Sequence, residues 1–512
     1  MAATTLLAAL ESIVREELPA TSTESLNITD PIYPYLAPSS RGVRYEPSGR
    51  IGRNWNIMHR FKIGVSGLIE PTVNTGGSVY AAALRTQQTN TPTGFPNISN
   101  NQHVVRFIRQ IFLAEHRGNF SIDLYTLKAE ALNAAVLQTV PDDIEGVAKQ
   151  LAHHEATSFY VGKYLGYNAG AATLGSAPNG GTNNNLTFSD LTGHRMGYFK
   201  TGMMVDLYDD SSLSNKLNVK SAVDVPLVVD IVDPLEKTLT LVSQAQTAMN
   251  ASMGPSANVS IATFATPYIV PRGGTSTLKM GHYGLSDWVV DSGTLFGDAD
   301  VWDQTVNTKA TSFDVDNYPE FKSYIHAVNG PLTENILDNR LAYFNDAYQS
   351  RLDTIVTTMG VTMKMLEAPN QGTSRMNYDR TGKSLVAKFG WDRIEYEWEG
   401  RSLTWHSSPF CPSGTLYGLK VGGGNMVRYV PPRAAPQGGA AAPGTNSEIG
   451  DEIEFIAPMG GGNNGSIFLH VRNTDSETTG QLEAPFWKLS QVAPIDVRSL
   501  KLTGLTESIA TP

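Results

Sequence analysis

Hydrophobic positions divide the chain into stretches of helical period, stretches of period two, and polar connections between them. Leu6, Leu10, Ile13 and Val14 recur at helical spacing up to Pro19, which predicts a short amphipathic helix over residues 4–18. Pro31, Pro34, Pro38 and Pro47 then punctuate a stretch with few helix-forming runs, and an extended arm is expected there. The arm has too little apolar content to bury itself, so it must lie on its own chain or on a neighbour. Phe61, Ile63 and Val65 alternate within residues 55–70, and Val104, Val105, Phe107, Ile108, Ile111 and Phe112 return as a strand within 102–125. Residues 71–101 between them are polar and rich in Gly, Thr, Asn and Pro; connections of that length usually serve a function.

Two helices are expected next. Leu124, Leu127, Ala131, Leu132, Ala135 and Val136 place one over 121–139. Pro141 opens the second, with Asp142, Asp143 and Glu145 in its first turn, where the helix dipole favours anions. Its stripe runs from Ile144 through Val147, Ala148, Leu151, Ala152 and Phe159 to Leu165, with Gly166 at its end. A helix of about 24 residues is roughly 36 Å long.

Residues 198–242 read as a small antiparallel β unit. Ile336, Leu337, Leu341, Phe344, Tyr348, Leu352, Ile355, Val356 and Met359 form a helical stripe over 331–359, capped by Thr333 and Gly360 and broken near Gln349-Ser350. Residues 384–420 return to β, 431–450 are low-complexity, and strands follow near 451–457, 466–473 and 495–503. The sum is an α+β chain without tandem repeats.

With 512 residues, 41% of them apolar, the chain has ample material for a core and predicts roughly two to four lobes. Charged residues make up only 17%, against about 25% in an average soluble chain. That is the expected balance where much surface is covered by neighbours. A net charge of −10 disfavours tight duplex binding, which needs a basic field, but suits a container that does not grip its contents. The lone Cys411 excludes an intrachain disulfide and a multi-cysteine zinc site. The segment after Met1 has no basic n-region, and Glu11 and Arg15 break its apolar run, so neither a signal peptide nor a membrane span is expected. A reducing cytoplasm is the expected place of synthesis, where Asn27-Ile28-Thr29 is not a glycosylation site.

The catalytic motifs are incomplete. His153-His154-Glu155 lacks the two His four apart that a zincin helix needs, and reads as a polar helix face. Gly382-Lys383-Ser384 would end a phosphate loop, but Asn377 stands where Gly is required. Gly422-Gly423-Gly424 and Gly460-Gly461-Gly462 read as turns. Cys411 near His406 reads as a structural thiol. Asp209-Asp210 and Asp298, Asp300 and Asp303 lack a complete calcium loop. No enzyme activity, cofactor or metal is expected.

The order of elements resembles the Hong Kong 97 fold of tailed-bacteriophage major capsid proteins. The run Gly284-Leu285-Ser286-Asp287-Trp288 through Gly297 is similar to a segment of that family. So are the β unit at 198–242 and the passage from Trp398-Glu399-Gly400 through Pro412 and Gly414 to Leu419. The resemblance implies an N-terminal arm (1–54), an E-loop (55–120), a spine helix with the start of a peripheral domain (121–170) and a β-rich insertion (171–242). An axial domain with the return to the peripheral domain (243–424), a flexible loop with a β insertion (425–480) and closing peripheral strands (481–512) complete it. It further implies self-assembly into hexamers and pentamers of an icosahedral shell, with portal, scaffolding and decoration proteins as partners. The shell encloses DNA, its location is the virion, and it involves no membrane. Arg85, Phe95, Arg60, Tyr33 and Tyr35 are then expected at intersubunit contacts. Some members crosslink the E-loop through a lysine; this chain has none between Lys62 and Lys128, so no such bond is expected. Two other readings are an encapsulin-like cargo compartment and a phage tail hydrolase or carbohydrate-binding protein. The latter needs paired carboxylates in a cleft or a β-repeat, and the long helices argue against it.

Overall fold

The protein is described from a computed structural model. The described residues are 17–46 without 19, 37 and 42; 54–63; 105–123; 136–162; 166–167; 173–175; 185–188; 198–208; 216–233 without 221 and 222; 238–243; 267–272; 282–295 without 294; 301–303; 308–310; 315–316; 321–348; 350–367; 376–378; 394–398; 401–431; 453–455; 470–473; and 480–508.

The two alternating runs form one ribbon. Asn54–Ile63 pairs antiparallel with Val105–Phe112, from Asn56 opposite Phe112 to Ile63 opposite Val105. Val43–Glu46 flanks it on one side; Val301–Asp303 and then Thr308–Ala310 flank it on the other. The expected single strand over 102–125 is two. At Leu113 the chain leaves the ribbon, and Ala114–Asp123 pairs instead along Gly480–Pro494. That 15-residue strand also pairs with Met426–Tyr429, Ile453–Phe455 and His470–Asn473. The hydropathy pattern misses it because Lys488, Ser490 and Gln491 are buried in it beside Phe486, Leu489 and Val492.

The long helix is Val136–Val161, about 39 Å at 1.5 Å per residue. Pro141 therefore lies inside it, and residues 121–123, expected helical, are strand. The helix stops at Val161, not at Gly166, because Gly162 takes a left-handed φ of 75°.

The β unit is larger than the expected insertion at 171–242. Its seven strands run in the order Gly166–Tyr167, Tyr268–Pro271, Met204–Tyr208, Leu227–Asp233, Thr238–Ser243, Asn185–Phe188 and Thr173–Gly175, so the sheet draws on chain from both sides of that boundary. Leu186, Phe188, Val205, Leu207, Leu227, Val229, Leu239 and Leu241 share one buried cluster with Phe159 and Tyr160 of the long helix. Leu241→Ala is expected to cost about 2–5 kcal/mol, read as a shift in the denaturant midpoint.

A second core lies under a mixed sheet ordered Tyr324–Gly330, Leu500–Leu505, Leu416–Leu419, Thr354–Thr357, Arg401–Ser407, Ile394–Trp398 and Met376–Tyr378. Leu337, Leu341 and Phe344 of helix Glu334–Tyr348, and Val361 and Met365 of helix Met359–Glu367, belong to it. Thr333 Oγ1 accepts from Ile336 N–H at 3.3 Å, the expected cap. Thr333→Ala should cost about 1 kcal/mol in the same assay. The expected helix over 331–359 is overturned beyond its break. Thr354–Thr357 is a strand buried at every position, and β-branched residues buried on both faces give no alternation. Gly360 lies inside the following helix.

The arm is also corrected. Residues 1–16 lie outside the described residues; 17–18 are helical as expected, but 20–29 are helical where extended chain was expected. Ser22 and Leu26, one turn apart, are both fully buried, so packing overrides the weak local pattern. Of the low-complexity loop, residues 432–450 are outside the described set. Among the described residues no helix is long and apolar enough to cross a membrane.

Candidate functional site

The arm helix, the long helix, the strand Ala114–Asp123 and the long strand Gly480–Pro494 converge on a polar core closed to solvent. Glu155 sits on the buried face of the long helix, beside Ala152, Ala156 and Phe159, all fully buried. Lys488 and Ser490 lie two apart on the long strand and so project to one face. His116 is the cross-strand partner of Lys488. His282 enters from the segment ahead of the short helix Leu285–Trp288.

Lys488 Nζ donates to Glu155 Oε2 at 3.0 Å and to Ser22 Oγ at 2.7 Å. Ser490 Oγ donates to Glu155 Oε1 at 3.0 Å and lies 2.8 Å from His282 Nε2. His282 Nδ1 is 3.0 Å from the Tyr33 hydroxyl. His116 Nε2 stands 3.9 Å from Glu155 Oε1, and its ring meets His154 and His282 edge to face. Burial by itself raises the Glu155 carboxyl, but Lys488 foremost, with His116, His282 and Arg428, holds it well below the usual carboxylate range. Burial pushes His282 down to about 4 against the pull of Glu155, and pushes His116 well below its ordinary value. The resulting core is a charged pair with neutral imidazoles around it. It ties chain segments together. The ligand atoms of His116, Glu155 and His282 lie within 4.8 Å of one another, close enough to hold a metal ion.

A second contact fixes the end of the long helix. Ser286 Oγ donates to Val161 O at 2.7 Å, and Asp287 Oδ2 accepts from Gly284 N–H at 2.9 Å. Leu285 and Trp288 are buried beneath. The motif at 284–288 is thus the piece that docks on the helix terminus.

A third contact involves Asp30, which follows the arm helix. It accepts from Ile32 N–H at 2.8 Å and Ser408 Oγ at 3.1 Å, yet burial pushes its carboxyl up to about 6. The folded state then binds the proton more tightly than the unfolded one, so this group's contribution falls as pH rises from 3.8 to about 6. Asp30→Asn is expected to remove that slope and to be the more stable form above pH 6, as measured by thermal melts of both chains across the range.

No family model matches the chain, and no curated protein matches it. It is similar to solved phage capsid structures. One is the cyanophage A-1(L) capsid asymmetric unit, at 11% identity and a TM-score of 0.38, covering 93% of each chain. Another is the satellite phage P4 procapsid with its size determination protein, at 11% identity and a TM-score of 0.29, covering 96% of this chain and 99% of that one. Outside the phage structures, the chain is similar to the holo-SrpI encapsulin complex of Synechococcus elongatus PCC 7942, at 12% identity and a TM-score of 0.21, covering 36% of this chain and 53% of that one.

The expected contact residues fall in different places. Arg85 and Phe95 lie outside the described residues. Arg60 stands on the ribbon opposite Ile108. Tyr33 is 1% exposed, packed on Phe159 and beneath the Arg428 guanidinium. Tyr35, 57% exposed, remains open to a neighbour. The reading of His153-His154-Glu155 as a polar helix face also changes. His153 Nε2 meets Tyr198 O at 3.2 Å, and burial takes its imidazole down to about 4. His154 packs on His116, and Glu155 is the centre of the core. Cys411 is buried, its Sγ donating to Thr415 O at 3.6 Å. Gly382-Lys383-Ser384, Gly460-Gly461-Gly462, Asp209, Asp210, Asp298 and Asp300 lie outside the described residues. Sequence reasoning missed Lys488, His116 and His282. The available signal was a lysine flanked by Trp487 and Leu489 in a run of β-forming residues.

Proposed function

We propose that this chain is a capsid subunit that self-assembles into the icosahedral shell around the double-stranded DNA of a tailed phage. The observation that carries the reading is the ribbon Asn54–Ile63/Val105–Phe112, whose paired strands end at Ile63 and Val105 with 41 residues of sequence between them. A long polar connection between the ends of a β stem adds contact area on a neighbour without enlarging the core. The arm supports the same use, because Ile28 is 79% exposed on it and Tyr35 57%. The long helix gives the brace that such a subunit needs, and repeated weak contacts are multiplied by closed symmetry. On this reading the partners are further copies in hexamers and pentamers, with a portal and a scaffolding protein, and the role is structural, without catalysis.

The test is to replace residues 64–104 by an Asn-Gly turn, which the register of Ile63 opposite Val105 allows. The shortened chain should keep its circular dichroism spectrum and lose shell formation in size-exclusion chromatography. A shortened chain that still forms shells contradicts the role given to the excursion.

A further inference from the structure

Within the polar core one side chain stands apart. Among the described residues, neither His116 Nδ1 nor Nε2 has a hydrogen-bond partner, although the residue is only 2% exposed. An imidazole buried without partners forfeits its solvation, and native proteins rarely leave such a group unexplained. Its Nε2 faces Glu155 Oε1 at 3.9 Å. That is too long for a hydrogen bond, but two ligands each roughly 2.0–2.2 Å from one zinc-class ion span such a gap.

The surroundings are those of a ligand set with its outer supports in place. Lys488, which also donates to Ser22 Oγ, engages Oε2 of Glu155 and leaves Oε1 turned to the imidazoles. The Tyr33 hydroxyl, 3.0 Å from His282 Nδ1 and 3.4 Å from Glu155 O, can accept the Nδ1 proton while donating its own to the carbonyl. That tautomer presents the Nε2 lone pair to the core, as outer hydrogen bonds do for metal-bound histidines. Ser490 Oγ lies 2.8 Å from that Nε2 and 3.0 Å from Oε1, between the two. In the opposite tautomer, Tyr33, His282, Ser490 and Glu155 form a complete donor chain, and His116 is still left over.

We propose that His116, His282 and Glu155 form a structural site for one divalent transition-metal ion of the zinc class, with Ser490 Oγ as its fourth ligand. Two imidazoles and one carboxylate suit zinc or cobalt better than magnesium or calcium, which prefer oxygen sets. The ion joins the strand leaving the ribbon, the long helix and the segment ahead of Gly284 at one point, and it adds to Lys488 rather than replacing it. The site does not depend on the shell reading, since it can be measured on unassembled subunits.

The full-length chain is stripped with a chelator, dialysed against zinc alone, and analysed for bound metal and melting temperature. About one ion per chain and a raised melting temperature are expected. His116→Gln should fold with the wild-type circular dichroism spectrum, because the His116 ring makes no hydrogen bond among the described residues, and should lose the ion. His116→Cys loaded with cobalt should show a thiolate-to-metal charge-transfer band. Wild type that takes up no zinc overturns the site. So does a glutamine variant that binds as the wild type does, or a cobalt-loaded cysteine variant without the band.

Discussion

Lys488→Met is expected to destabilise the folded chain by about 3–5 kcal/mol, the usual cost of leaving one half of a buried ion pair uncompensated. Glu155 and Lys488 are both fully buried and lie 3.0 Å apart. Removing the ammonium leaves the carboxylate in contact with His116 and Ser490 and near His282, neutral groups at neutral pH, with Arg428 as the remaining cation acting on it. The carboxyl must then take up a proton or draw in water. The same substitution frees Ser22, so the arm helix should loosen first, and hydrogen exchange should show residues 20–29 losing protection ahead of the sheets. Pairing it with Glu155→Leu removes both charges together, and that double variant should be more stable than Lys488→Met alone. Urea denaturation of wild type, both single variants and the double gives the coupling. A double variant no better than the single means that the pair is not the energetic centre of the core.

The second large effect is expected at Gly284→Ala. A Cβ there would stand 2.3 Å from Gly162 N and 2.5 Å from Ser158 O, both backbone atoms at the end of the long helix. Rigid main chain cannot step aside as a side chain does, so the helix terminus and the docked motif must separate. The cost should reach or pass the upper end of the roughly 1–3 kcal/mol usual for overpacking. Gly330→Ala is the control. Like Gly284 it has no left-handed φ, and a Cβ there meets nothing within 4 Å. If the two variants melt at the same temperature, the close approach at Gly284 has no energetic weight.

Much of the architecture was legible where one face of an element is buried and the other is wet. The ribbon strands and the β unit at 198–242 announce themselves by alternation, and the front of helix Glu334–Tyr348 by its stripe and its Thr333 cap. Legibility fails where elements are buried all round. Thr354–Thr357, buried at every position, continues the helical stripe before it and so carries a helical pattern. The long strand was missed for a related reason, since its inward positions include Lys488, Ser490 and Gln491. The polar core was unreadable because its members are far apart in sequence. Glu155 was visible only beside His153 and His154, and nothing local links it to His116, His282 or Lys488. The arm helix was hidden by prolines that bracket residues 20–29 instead of interrupting them.

Assembly into closed shells can be seen directly by electron microscopy of the purified chain. The chain is expressed alone and together with the genes that flank its own, then imaged after size-exclusion chromatography. Closed icosahedral particles, or hexameric and pentameric rings, are the predicted result. A stable monomer or small oligomer under every condition would contradict it.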